Sequence, residues 1–99
     1  MPQVTRTEPA KADLVELLTR LARHSKPAAI RLRAEITQEC ERLARSPRLG
    51  TERVELFPGL FSRAVAGRVV VYYRITADGI EVQRVLHAAR HVDASMFDV

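Results

Sequence analysis

At 99 residues the chain has room for one domain, 1–99, and with 46% apolar and 28% charged residues it has the balance of a folded protein, not a disordered one. Sixteen basic against twelve acidic side chains leave a formal charge of +4, and fourteen of the sixteen are arginine, whose planar fork matches carboxylates and phosphates, so an acidic protein segment or nucleic acid is the expected partner. No apolar run approaches the ~18 residues of a membrane span and no hydrophobic signal core opens the chain, which leads to the expectation of a cytoplasmic protein without membrane contact; the one cysteine, Cys40, excludes an internal disulfide.

Val4-Thr5-Arg6-Thr7 alternates and reads as a short edge strand. Thr7 then offers a helix N-cap, with Glu8 as an acid in the first turn and Pro9 where no amide bond is needed. Ala10, Leu14, Leu17, Leu18 and Leu21 fall on one helical face, and this first helix is expected to end near His24-Ser25. Ser25 and Pro27 repeat the start signal. Ala29, Leu32, Ile36, Cys40 and Leu43 form a second stripe with charged residues outside it, and Ser46-Pro47 ends that helix after Arg45. Leu14, Leu17 and Leu21 with Ile36, Cys40 and Leu43 are read as the helix–sheet core. The short connection predicts an αα-hairpin.

Beyond Gly50 the period becomes strand-like. Arg53-Val54-Glu55-Leu56 alternates, Pro58-Gly59 turns, Leu60 to Ala66 forms a strand, and Gly67-Arg68 turns again. Val69 to Ile75 is β-branched and aromatic and reads as the sheet centre. Asp78-Gly79 is a two-residue hairpin turn that pairs Ile80 to His87 back, and Ala88 to Val99 is a loose tail. The expected fold is α+β in two layers: a short N-terminal strand, an αα-hairpin, then an antiparallel three- to four-stranded sheet.

Four segments, Glu55-Leu56-x-Pro58-Gly59, Val71-Tyr72-Tyr73-Arg74-Ile75, Asp78-Gly79-Ile80-Glu81 and Arg84-Val85-Leu86-His87-x-x-Arg90, occur in order after an early Ala12-Asp13-Leu14. Together they resemble the ParE-type toxins of the ParE/RelE superfamily, the plasmid stabilisation proteins of type II toxin–antitoxin systems, over nearly the whole chain. The resemblance implies a cognate ParD-like antitoxin whose C-terminal segment wraps the toxin, and one of two targets. RelE-like members bind the ribosome and cut mRNA; ParE-like members poison DNA gyrase without being hydrolases.

In the RelE-like pattern, cations and a proton-transferring side chain on the last strands stabilise the phosphorane-like transition state. Arg90 matches the arginine of that pattern, whereas Val70 and Met96 or Phe97 stand where a further arginine and the tail tyrosine would be. Neither replacement supplies charge or protons, so the reading adopted is an inhibitor of DNA gyrase. The alternatives are a ribosome-dependent mRNA endonuclease using Arg90 with His87 or His91, and a toxin fold that acts only as a binding module.

His87 and His91 stand four apart but without a Cys or carboxylate cluster, so neither metal nor cofactor is expected. Arg84 alternates onto the apolar face with Ile80, Val82 and Leu86 and needs a carboxylate, Asp13 or Glu16, unless a bulge turns it away. On the other face the predicted turn sets Tyr72 and Arg74 beside Gln83, with His87 across from Val70. Arg63, Arg68 and Arg90 complete a mixed aromatic and basic surface for an acidic peptide or nucleic acid.

Overall fold

The computed structural model of the chain describes residues 2–97. Strand β1 (Gln3–Arg6) leads into helices α1 (Glu8–Ala22) and α2 (Lys26–Arg45). A 3-10 turn at Pro47–Leu49 follows, then strands β2 (Thr51–Glu52), β3 (Leu60–Val65), β4 (Val69–Thr76) and β5 (Gly79–His87), and a last 3-10 turn at Ala94–Phe97. The sheet order is β1-β5-β4-β3-β2. Because β1 lies parallel to β5 while the other pairs are antiparallel, the α+β fold carries a five-stranded mixed sheet. None of its helices is long and apolar enough to cross a membrane.

Both helices begin at the hydroxyl caps that the sequence offers: Thr7 Oγ1 accepts from the Ala10 amide at 3.2 Å and Ser25 Oγ from the Ala28 amide at 3.2 Å. Helix α1 stops at Ala22, short of the expected His24-Ser25. Ser25 has to adopt the extended backbone of an N-cap (φ −161°, ψ 107°), and the His24 and Ser25 amides close onto the Leu21 carbonyl instead.

Arg53-Val54-Glu55-Leu56 is a turn and not a strand. The ladder with β3 holds only Thr51 opposite Ser62 and Glu52 opposite Phe61. The Arg53 amide closes it on the Leu60 carbonyl (2.7 Å), and the Leu56 and Phe57 amides then fold back onto the Arg53 carbonyl. The alternating Val54 is left exposed and Glu55 reaches back to Arg53.

The β4–β5 hairpin turns at Ala77-Asp78, one residue earlier than Asp78-Gly79 implies, with Thr76 paired to Gly79. Gly79 is needed as a strand residue: β1 crosses so close that a Cβ there would fall on the Gln3 backbone. A bulge follows. Tyr73 pairs with Val82 but Tyr72 with Arg84, leaving Gln83 as the extra residue and resetting the alternation.

Ile80, Val82 and Val85 therefore face the helices, with Val69, Val71 and Tyr73 of β4, while Leu86 joins Leu60 and Tyr72 on the opposite face. Helix α2 supplies most of the helical core through Leu32, Ile36, Cys40, Leu43 and Ala44. From α1 only Ala10 is buried; Leu14, Leu17, Leu18 and Leu21 pack against the core but stay half-covered. The second face is covered by the C-terminal turn, expected as a loose tail, which lays the buried Phe97 on Tyr72 at 5.0 Å between ring centroids, with Val92 and Met96 beside it. The tail residues Asp98 and Val99 lie outside the described residues.

Candidate functional site

Strand β1 pairs with β5 only as far as Arg6 opposite Val82. There the Thr7 amide donates to the Val82 carbonyl and the Thr7 hydroxyl to that of Gln83 (2.8 Å), and the chain turns off into α1. The rest of β5 runs on with a helix, not a strand, along that edge, and backbone groups that would bond a strand need other partners. Asp13 of α1 supplies one: its Oδ2 accepts from the Val85 amide at 3.1 Å.

The same carboxylate takes Arg84 in a fork, Nε to Oδ2 at 2.7 Å and Nη2 to Oδ1 at 2.9 Å. Both side chains are mostly covered, at 18% exposure for Arg84 and 11% for Asp13. Hydrogen bonding to Asp13 raises the guanidinium pKa further above its ordinary value, outweighing the opposing effect of burial. The bulge carries Arg84 out of the Ile80–Val82 alignment. Glu16, the other carboxylate considered for it, pairs instead with Arg20 in the open.

Between α1 and the far end of β5 lies a groove of about 400 Å³. Its apolar lining comes from Leu17, Leu21, Leu32, Val69 and Val85, its rim from Arg20, His24, Arg68, His87 and Arg90, and one wall from Asp13 and Glu16. Three of those rim residues converge through the backbone. The Ala88 amide donates to the Arg68 carbonyl (2.8 Å) and the Arg90 amide to that of His87 (3.0 Å), which ties the exit of β5 to the β3–β4 turn. His87 is exposed and its Nδ1 accepts from the Ala89 amide at 3.1 Å. Among the described residues neither Arg68 nor Arg90 is in a salt bridge, so both cations stand free at the mouth.

The other expected surface residues lie elsewhere, and the single aromatic and basic face divides into three places. Arg63 projects to the helical side, held by Glu39 at 2.9 Å and by the Leu49 carbonyl at 3.3 Å. Tyr72 is buried under Phe97, with the Arg53 guanidinium 5.9 Å from its ring centre, so it offers no open stacking platform. Arg74 sits over Phe57 at 5.2 Å and pairs across the ladder with Glu81, not Gln83. His87 lies opposite Val69 and not Val70.

His91 is exposed beyond the groove. Nearby, hydrogen bonds from Ser95 hold the Asp93 carboxyl below its ordinary value, with His91 adding a smaller pull. Among the described residues no three His, Cys, Asp or Glu side chains gather as metal ligands. Val70 and Met96 pack with Phe97 into the apolar second cluster.

Sequence reasoning missed Leu17 and Leu21 as groove lining, having assigned them to the core, and missed Arg20 and His24 altogether. The signal was present, since Leu17 and Leu21 stand one turn apart on α1 with Arg20 beside them, and His24 follows three residues after Leu21.

Comparison with known proteins agrees with this architecture. Residues 4–92 match the family described as the ParE toxin of type II toxin-antitoxin systems, parDE. Toxin ParE1 from two strains of Mycobacterium tuberculosis is 36% identical over 63 residues. That match covers 63% of this chain and 63% of each relative, so the chain spans less than two thirds of their length. A solved structure of the chromosomal ParDE TA system from P. aeruginosa shares the fold, with a TM-score of 0.72 at 19% identity over 88% of this chain and 96% of that one. The chain thus belongs to the ParE toxin family of type II toxin–antitoxin systems.

Proposed function

We propose that this toxin inhibits DNA gyrase without cutting nucleic acid, and that a ParD-like antitoxin neutralises it. The observation that carries the gyrase reading is what occupies the second sheet face. Val70, Met96 and Phe97 stand at positions that the nuclease pattern fills with charge and a proton donor, and they pack with Leu60, Tyr72 and Leu86 into an apolar cluster. At these three positions the chain offers neither a base for a ribose hydroxyl nor a cation for a phosphorane.

For the antitoxin, the half-covered leucines of α1 and the free Arg68 and Arg90 at the rim fit an acidic amphipathic segment. His87 belongs to that contact set; Arg63, Tyr72 and Arg74 fall outside it. Purified toxin is expected to block supercoiling by gyrase at stoichiometric amounts, and antitoxin to restore it. Unimpeded supercoiling at excess toxin rejects the reading. Growth arrest on induction without antitoxin separates it from an inert binding module.

One observation favours a second reading. Arg68, His87 and Arg90 meet at one rim, a cationic pair beside an imidazole that could serve cleavage of ribosome-bound mRNA. Codon-positioned cuts in a translation reaction, mapped by primer extension and abolished by Arg90→Ala, would establish it.

A further inference from the structure

The fork between Asp13 and Arg84 uses only two of the guanidinium's three nitrogens. The third, Nη1, donates to the Met96 carbonyl at 3.3 Å. Met96 belongs to the turn that sets Phe97 on Tyr72, on the sheet face away from the helices, whereas Asp13 is a wall of the groove beside α1. One guanidinium thus spans from the groove to the covered face. The turn it holds is four residues long, with Phe97 its one buried side chain, a 3.2 Å bond from the Met96 amide to the Asp93 carbonyl closing it, and the Ser95 amide and hydroxyl donating to the exposed Asp93 carboxylate at its start. So short a segment, resting on so few contacts, belongs to the low end of local stability.

We propose that Asp13 and Arg84 form a latch that couples occupancy of the groove to closure of the C-terminal turn. An occupant that presents a guanidinium or ammonium to Asp13 competes with Arg84 for its oxygens. Arg84, drawn off its fork, loses the orientation that aims Nη1 at Met96, and the turn opens. Opening uncovers Leu60, Tyr72 and Leu86, with Arg53 already over the Tyr72 ring and Arg74 over Phe57, a surface that the closed molecule keeps from its surroundings. By linkage the reverse holds as well: whatever binds the uncovered face weakens the hold of Arg84 on Asp13 and makes that carboxylate more available in the groove. The latch is a property of the isolated chain and does not depend on which target the toxin attacks.

The test uses the full chain in solution, with amide exchange followed by NMR at Met96 and across β4, and nuclear Overhauser effects followed between the Tyr72 and Phe97 rings. Asp13→Asn, which removes no atom that touches the tail, and Arg84→Lys, which keeps the charge but cannot fork, are each expected to speed exchange at Met96 about tenfold, the value of one charge-assisted hydrogen bond. The ring-to-ring effects weaken in both variants, and the faster exchange at Met96 is independent of low urea, whereas central β4 amides open only with the whole fold and follow its stability. A merely structural loss would accelerate β4 and the tail together. Wild-type exchange at Met96 in Asp13→Asn, or a rise that only tracks β4, overturns the latch. Should Asp13→Asn fail to give a folded spectrum, unchanged tail exchange in Arg84→Lys overturns it alone.

Discussion

Asp13 meets three demands at once, binding Arg84 through both oxygens, accepting the Val85 amide and walling the groove. Removing it leaves a largely covered guanidinium and an edge amide unpaired together, and breaking such a pair from one side costs far more than the pair's net worth. Asp13→Ala is expected to destabilise the fold by about 3 kcal/mol in urea unfolding, and a change within ~0.5 kcal/mol of wild type, the scale of an ordinary surface substitution, would show the site to be solvated. Cys40 makes a second residue-scale case. Burial pushes its thiol from 9.0 to about 11, against a smaller opposing pull from Arg6. Because the folded value is the higher one, the thiol's contribution is complete below pH 9 and is lost as pH rises toward 11. The loss amounts to about 2–3 kcal/mol. Tyr73, raised by its own burial, adds a decline of the same sign. Unfolding midpoints of wild type and Cys40→Val across that range isolate the thiol's share: the variant should fall less steeply, and parallel curves would discount it. The need of Arg84 for a carboxylate was legible in the sequence, since a charge alternating with Ile80, Val82 and Leu86 requires one. A bulge was expected only as the alternative to that pair; that both occur together, with Gln83 as the extra residue, was not legible, because nothing in Val82-Gln83-Arg84 marks a register shift. Thr7 and Asp13, distant in sequence, hold the backbone on either side of it.

At the scale of elements, the two helices were readable because their signals are local: a hydroxyl cap, an early proline and a 3.6-residue stripe. The sheet was less so where its constraints arrive from far along the chain. Asp78-Gly79 looks like a turn, yet Gly79 is small because Gln3 of β1 presses on it from 76 residues away. Gly79→Ala is therefore expected to dislodge β1 first, with amide exchange at Gln3 and Thr5 rising before the rest of the sheet and a total cost of about 2 kcal/mol or more. If β1 exchanges at its wild-type rate, the close approach is not what selects glycine there. The neighbouring hairpin makes the opposite demand. Ala66 sits at φ 57° in the left-handed region, where a Cβ is strained. Ala66→Gly should raise stability by about 0.5–1 kcal/mol, read as a higher melting temperature, while a fall would mean that unfolded-state entropy outweighs the strain. The two-residue β2 shows a different limit: a ladder that short leaves no period to read, and the alternation that follows it belongs to a turn.

For the whole molecule, the unequal burial of the two helices is the fact on which the proposed antitoxin contact rests. Helix α2 closes the core, while the leucines of α1 stay half-covered beside a groove whose rim carries Arg68 and Arg90, neither in a salt bridge among the described residues. In the sequence both helices carry the same apolar stripe, so composition and period cannot say which is buried by its own sheet and which is left half-covered; that depends on where β1 ends along β5. A chain of this size buries a modest fraction of its surface, and a partner filling the groove at 100 times its dissociation constant would add about 2.7 kcal/mol to its stability. A substitution at the groove floor tests whether the proposed neutralisation and poisoning use separate surfaces. Leu17 is only partly buried, so Leu17→Asp should cost the fold little while placing an unpaired carboxylate where an acidic amphipathic segment would bury its apolar side, repelling it twice over through charge and desolvation. In cells the variant is expected to arrest growth as wild type does but to escape rescue by co-expressed antitoxin, and in vitro to withstand antitoxin while still blocking gyrase. Retained rescue would move the antitoxin seat away from α1. Loss of arrest in a variant that still folds would instead mean that the groove meets the target itself, making antitoxin and target competitors for one surface.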